Sequence, residues 1–423
     1  MSEKAGDASA RSIYRPPDPS AMDHQLPTSS DDMIELEHCI GFTGNFTETI
    51  IAHPVNNNEY VKAMGSVVSI CDLSDPHRQE FLRAHDMEVS ALAVSGGGGL
   101  IASSQLGTTY QPGYHAPVIV WDYDTRKDVY VLTGHTKRVR ILEFSPDERF
   151  LAGTGDDCLL YIWDMTTGEV IFGKKFDEPV ILFEWGNLEL SKGGRRASYE
   201  VLLVSTGGGP QDDVQKCKLE YDPIRAQWSL LMDNVNMPSG GLARTYYSAM
   251  ISADRQFMLC GTSVGDMLVF NMRNSVYRAS VPVCSSGLVS LCVNNETGDV
   301  FCGGGDGTLK KLRGSDMRWE LVSETMLDSR IVSLSVMANN LELLAGTDSG
   351  TQYRVLLEVS RQCHCQCVFC VGLELVGRTT ITIFFFWGEK RADKKNLTLT
   401  IPSFRVLPYP KTLAGSLGHY NQY

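Results

Sequence analysis

The chain has 423 residues, 43% of them hydrophobic and 21% charged, a balance that supports a packed core and excludes wholesale disorder. Its 38 Lys/Arg stand against 50 Asp/Glu, a net charge of −12. Such an acidic chain is poorly suited to gripping nucleic acid through phosphates or an anionic lipid surface. The most apolar stretch, Val368 to Trp387, is broken by Glu374 and Arg378 and does not read as a membrane span. The first twenty residues have no apolar run of a secretory signal.

Taken in chain order, residues 1–33 are rich in Pro, Ser, Asp and Ala and read as a disordered tail. From Ile34, short β-type runs alternate with Gly, Asp, Asn and Ser clusters, which is the texture of an all-β fold. A repeat then emerges. Its best copy, Gly134 to Asp164, opens on Gly-His and closes on Trp-Asp, with a Ser-Pro-Asp turn and an Asp-Asp turn between. The copy before it runs from His85 to Asp122 and also closes on Trp-Asp. Aligning further copies places equivalent positions at 71, 121, 163, about 219, 270, 312 and 355, spaced by 42 to 56 residues. A four-stranded propeller blade needs about 40–45 residues, so seven copies predict one closed seven-bladed β-propeller over residues 34–360. Residues 361–423 break the pattern and carry eight Lys/Arg against three Asp/Glu. They read as a divergent tail, either a genuine terminus or translated non-coding sequence.

Gly-His and Trp-Asp punctuation at this period resembles the WD-repeat β-propellers. The resemblance implies a buried network joining a histidine, a second-strand Ser/Thr, a turn Asp and a Trp. Carried onto this chain, His85, Ser103 and Trp121 form one such network, and His135, Asp157 and Trp163 another, in which Gly153 occupies the Ser/Thr position and leaves a gap. The other units lack the Trp, so packing is expected to carry them.

The segments CIGFTGNFTETIIAHPVNNNEYVKAMGSVVSICDL, FLRAHDMEVSALAVSGGGGLIASSQ and LLAGTDSGTQYRV are similar, more narrowly, to a family of WD-repeat proteins associated with cilia and flagella. These lie within axonemal doublet microtubules; the echinoderm-microtubule-associated-protein-like family is a near neighbour. The resemblance implies a non-enzymatic structural protein of the cytoskeleton and cilium that binds tubulin and other axonemal proteins. It also implies a second propeller, of which this sequence shows no repeat. A soluble adaptor, such as a ubiquitin-ligase substrate receptor or signalling scaffold, is the alternative.

Candidate chemistry is sparse. The twelve cysteines, mostly flanked by apolar residues, read as buried thiols of a cytosolic protein. Cys363, Cys365, Cys367 and Cys370, with His364, invite a zinc site, but no second ligand pair follows. The glycine runs at 95–100, 205–210 and 302–308 lack the lysine of a phosphate loop and read as turns. Neither a catalytic residue, a cofactor nor a small-molecule substrate is expected. Two elaborations stand out. Gln105 to Pro117, bearing Tyr110, Pro112, Tyr114 and His115, is either a partner-contact loop or a shield for its own blade edge. Asn187 to Tyr199, with Lys192, Arg195 and Arg196, reads as a solvated basic loop.

Overall fold

The computed structural model describes residues 38–107, 115–190, 197–206, 212–235, 244–357, 365–369 and 388–390, the last two stretches by backbone alone. Blade 1 comprises β1 (Ile50–Ala52), β2 (Glu59–Met64), β3 (Val67–Asp72) and β4 (Gln79–Arg83). Blade 2 is β5 (Val89–Val94), β6 (Leu100–Gln105), β7 (Val118–Asp122) and β8 (Asp128–Leu132). Blade 3 follows with β9 (Val139–Phe144), β10 (Phe150–Gly155), β11 (Leu159–Asp164) and β12 (Glu169–Lys175). Blade 4 has longer strands, β13 (Val180–Leu190), β14 (Ala197–Ser205), β15 (Asp213–Asp222) and β16 (Gln227–Asn234). In blade 5 these are β17 (Tyr246–Ile251), β18 (Phe257–Thr262), β19 (Asp266–Asn271) and β20 (Val276–Pro282). Blade 6 holds β21 (Leu288–Val293), β22 (Val300–Gly304), β23 (Thr308–Ser315) and β24 (Arg318–Met326). Blade 7 contains β25 (Ile331–Val336), β26 (Glu342–Thr347), β27 (Gln352–Leu356), β28 (Cys365–Phe369) and β29 (Gly388–Lys390). Every sheet is an antiparallel meander.

The seven-bladed propeller expected from the repeat is therefore the fold. All seven repeat markers fall on the third strand of a blade. Consecutive first strands touch around the whole ring, β25 meeting β1, so the ring closes around a central channel and apolar clusters fill the seams between blades. One boundary differs from the sequence reading. A blade needs a fourth strand, and β28 supplies it beyond residue 360, pairing Tyr353 with Cys367 and Val355 with Cys365. Cys363, His364 and Cys370 lie outside the described residues, as do residues 1–37 and the rest of the tail.

Hydrogen bonds between neighbouring first strands sew the ring. The Oγ of Ser248 donates to the Leu288 carbonyl at 3.0 Å, Ser290 to Ile331 at 3.1 Å and Ser333 to Ile50 at 2.7 Å. Each of these serines pairs with a second-strand glycine, Gly261, Gly303 and Gly346. The glycine is required by space: a Cβ at Gly303 would lie 2.2 Å from the Ser290 Oγ and at Gly261 2.3 Å from the Ser248 Oγ. Ser90 makes the same kind of link to Val139, at 2.8 Å.

The closing seam, between blades 7 and 1, is the most heavily bonded. Ser335 Oγ accepts the Ala52 N–H at 2.9 Å, and Gln352 accepts from the Tyr60 hydroxyl at 3.0 Å while its amide donates to the Gly41 carbonyl at 2.8 Å. The segment before β1 straps this seam through buried Cys39 and Phe42. Beneath it Lys62, wholly buried, donates to the Cys39 carbonyl at 3.0 Å. Burial holds that amine below its ordinary pKa.

Blade 4 explains the degenerate copy near Leu219. Its strands run to 8–11 residues, longer than the five or six usual elsewhere in the ring, which stretches the repeat spacing. The elaboration at Asn187 to Tyr199 is mostly strand: Leu188 pairs with Tyr199, Glu189 with Ser198 and Leu190 with Ala197. The expected solvated loop shrinks to residues 191–196, which lie outside the described residues together with Lys192, Arg195 and Arg196. The alternation of Tyr199 and Leu188 on a core-facing side extends the hairpin.

Candidate functional site

In blade 2 a short polar chain runs through the apolar interior. Trp121 Nε1–H donates to Ser103 Oγ at 2.8 Å, and Ser103 lies 2.7 Å from His85 Nε2. His85 Nδ1 lies 2.9 Å from Gln105 Oε1, which also accepts the Asp86 N–H at 3.3 Å, while the Gln105 amide donates to the Asp86 carboxylate. One proton arrangement satisfies all of them: the hydroxyl donates to Nε2 and the imidazole carries its hydrogen on Nδ1. Burial pushes the His85 pKa down, against the raising effect of its Gln105 bond, so the neutral ring is favoured.

Gln105 is the member that the sequence reading missed. In sequence it opens the insertion, yet it ends β6 and takes over the turn aspartate's contact with the histidine. Its amide supplies both the acceptor for His85 and a donor that ties down Asp86.

Blade 3 has the same plan with a hole in it. The Asp157 carboxylate takes the His135 Nδ1 at 3.1 Å and the backbone N–H groups of Thr136 at 2.9 Å and Leu159 at 3.1 Å. Burial would raise the Asp157 pKa, but the His135 bond and charge and these N–H donors outweigh it and hold the pKa below its ordinary value. Beyond Asp157 the chain stops: Trp163 Nε1, His135 Nε2 and Thr154 Oγ1 are buried without hydrogen-bond partners. Gly153 sits where a serine would bridge them. The indole has moved into the vacated space, so that a Cβ on Gly153 would lie 2.8 Å from its Cζ3. Edge-on ring contacts hold the three aromatics instead, with His135 5.1 Å from Tyr161 and 6.1 Å from Trp163 between centroids.

The blades without tryptophan were expected to rely on packing, and three of them do more. In blade 5 the Asp266 carboxylate gathers Thr262, Arg244 and Ser280, the last two at 3.1 and 2.8 Å. In blade 6 Asp306 takes the Ser285 N–H and hydroxyl at 3.0 and 2.7 Å, and the Thr308 N–H at 3.0 Å. In blade 7 Asp328 accepts from Ser349 and Thr351 at 2.7 and 3.0 Å. In blade 6 a hydroxyl thus takes the histidine's side of the contact, and in blade 7 the sides are exchanged, the acid preceding the first strand and the hydroxyls lying in the turn.

The insertion is anchored at both ends. The Leu106 N–H donates to the Glu88 carbonyl and Ala116 N–H to the His135 carbonyl, both at 2.9 Å. Ala116 is buried and His115 exposed. Tyr110, Pro112 and Tyr114 lie outside the described residues.

Among the described residues, a cluster with strongly raised acid pKa values lies on the first strands of blades 3 and 4. Glu143 on β9 and Glu184 on β13 hydrogen-bond to one another through their carboxyls, and both feel the charge of Glu48. The Trp185 N–H also donates to Glu143, at 3.2 Å. Enclosure by protein pushes Glu143 up to about 8 and Glu184 well above its ordinary value, with the neighbouring carboxylates adding to the rise. A shared proton between two acids requires this. Cys292 lies within reach of the same charges, and burial pushes its thiol up to about 12, so it is not an activated nucleophile. The eight cysteines whose side chains are described are all unpaired.

Comparison with known proteins agrees with this picture. A family model described as "WD domain, G-beta repeat" matches residues 126–164, which span the better-marked repeat of blade 3. Cilia- and flagella-associated protein 52 of Chlamydomonas reinhardtii is 30% identical over 314 residues, covering 72% of this chain and 46% of that protein. The Homo sapiens protein of the same name is 26% identical over 341 residues, covering 79% of this chain and 51% of its own length. The chain thus spans about half the length of these relatives. WD repeat-containing protein 90 of Mus musculus is 28% identical over 158 residues, 37% of this chain and 8% of that protein. Among solved structures, the β-propeller domain of Cps50 (Swd1) superposes with a TM-score of 0.51 at 14% identity, covering 63% of this chain and 83% of the domain. U3-55K also reaches 0.51, at 15% identity over 72% of this chain and 89% of its own. On fold and repeat signature this chain is a seven-bladed WD-repeat β-propeller, similar through most of that propeller to Cilia- and flagella-associated protein 52.

Proposed function

We propose that this chain is a non-enzymatic scaffold of cilia and flagella that binds tubulin and neighbouring proteins within axonemal doublet microtubules and stabilises that lattice. The observation that carries the reading is the similarity to the Chlamydomonas relative, 30% identical over 314 residues. The fold supports it. A ring sewn blade to blade and closed on itself exposes few free strand edges and presents loops on a rigid frame. Several carboxylates are used to hold the frame itself: Asp157, Asp266 and Asp306 tie neighbouring segments, and Glu143 and Glu184 hold each other.

The partner-contact loop belongs to this proposal. Its base is fixed to Glu88, just before β5, and to the turn before β9. Replacing Tyr110 and Tyr114 together with Ala is expected to leave the thermal midpoint unchanged and to reduce retention on doublets. Unchanged retention removes the loop from the interface and leaves it a shield for its blade.

The test of the main proposal is extraction. Cilia stripped with detergent and then with high salt are expected to keep peptides of residues 34–360 in the doublet pellet. Recovery of those peptides only in the soluble fraction contradicts the lattice role and supports a soluble adaptor.

A further inference from the structure

Between blades 5 and 6 lies an open pocket of about 380 Å³, on the face that carries the turns between first and second strands. That is near the lower end of the range for ligand sites, about 300–1,000 Å³. Its floor is apolar: Phe257 and Val300 are buried, and the half-buried Trp319 packs on the same core cluster. The indole is fixed, because its N–H donates to the Asp316 carbonyl at 3.0 Å. Its rim is acidic, with Asp254 and Glu296 both lining the opening.

The rim charges are not neutralised from within. Asp254 Oδ1 takes the Ser252 hydroxyl at 2.6 Å and the Gln256 N–H at 3.1 Å, neither of which carries charge. Glu296 gives its turn only a backbone N–H, to Asn294 Oδ1 at 2.9 Å, and its side chain is exposed. Two of the neighbouring cations are committed elsewhere, while Arg318, beside Trp319, is exposed. Arg313 grips Asp299 through two bonds of 2.6 and 2.9 Å, and Arg255 donates to the Gly186 carbonyl at 3.1 Å.

We propose that this pocket receives an arginine side chain of a partner protein. The methylene stem lies on Phe257 and Val300, the guanidinium plane stacks on the Trp319 ring, and its N–H groups face the two carboxylates. A fixed aromatic face beside two carboxylates favours the planar, delocalised, weakly hydrated guanidinium over the compact, strongly hydrated ammonium of lysine. The site lies on the turns of blades 5 and 6, remote in sequence from the insertion of blade 2, and does not depend on the axonemal assignment.

The test uses the full chain labelled with 5-fluorotryptophan, the Trp319 fluorine resonance being identified by its loss in Trp319→Phe. N-acetyl-arginine amide is expected to move that resonance saturably. The citrulline analogue, isosteric but uncharged, is expected to bind about tenfold more weakly. The Asp254→Asn, Glu296→Gln double variant is expected to lose a similar factor while keeping its thermal midpoint. Absence of a saturable shift, equal binding of the citrulline analogue, or an unchanged affinity in the double variant each overturns the proposal. Equal binding of N-acetyl-lysine amide overturns the arginine assignment.

Discussion

Blades 2 and 3 carry the same Trp-Asp closing signature and the same histidine, yet only blade 2 completes its hydrogen-bond chain. The difference is one residue. Ser103 bridges Trp121 and His85, whereas Gly153 bridges nothing and Trp163 leans into its place. A signature that reads identically in sequence thus gives a satisfied polar network in one blade and an aromatic stack with orphaned polar atoms in the next. The structural value of such a signature resides in its least conspicuous member.

The largest effect should come from breaking the complete network. Ser103→Ala leaves the indole N–H of Trp121 and Nε2 of His85 without partners in a buried setting. At about 1–3 kcal/mol for each orphaned group, the loss of unfolding free energy should be about 2–6 kcal/mol. Denaturant unfolding measures it; a loss below that of an ordinary surface substitution contradicts the network's role. Acid should mimic it weakly. His85 has a folded pKa below its unfolded value of about 6.5, so the stability it supports is present above that pH and declines as pH falls below it.

Filling the gap in blade 3 should fail. Gly153→Ser looks like a repair, but its Cβ would lie 2.8 Å from the indole of Trp163 and 3.3 Å from Leu142 Cδ2. Overpacking of this kind costs about 1–3 kcal/mol. A variant as stable as the parent would show that the indole swings back and that the network can be rebuilt by one residue.

Much of the ring was legible in sequence, because each blade repeats a strand–turn–strand core at nearly constant spacing. Blade 4 was blurred because its hairpins are longer, which is a change of length and not of pattern. The seam serines were legible and overlooked: Ser248, Ser290 and Ser333 each stand thirteen residues before the glycine that makes room for them. Gln105 was misread because a glutamine before Leu-Gly looks like the start of a loop. The clustered acids were beyond reach. Glu48, Glu143 and Glu184 come from three separate segments, and only closure of the ring brings them together.

Those acids extend the comparison to pH. Glu143 has a folded pKa raised above the unfolded 4.5 to about 8, so it is harmless below the unfolded value and increasingly destabilising as pH rises between the two. The groups that face it are Glu184, Glu48 and the Trp185 N–H. Glu143→Gln keeps the shape and removes the ionisation. Its advantage over the parent should be smallest below pH 4.5 and grow steadily as pH rises toward 8. This trend is opposite in sign to that of His85, so the two can be separated in a single series of melts.

The smallest effect is a gain. Thr154, next to Gly153 in blade 3, is fully buried and its hydroxyl has no partner. Desolvating a hydroxyl without compensation is unfavourable, and valine has almost the same shape. Thr154→Val should therefore stabilise the chain by about 0.5–1 kcal/mol. The corresponding residue of blade 2 in the strand pairing, Ser104, donates to the Pro117 carbonyl at 2.8 Å, so Ser104→Ala should go the other way. Opposite signs at these two positions would place the difference between the blades in hydrogen-bond satisfaction. A loss at both would place it in packing, and the orphaned hydroxyl would then need a partner from the blade's own motion.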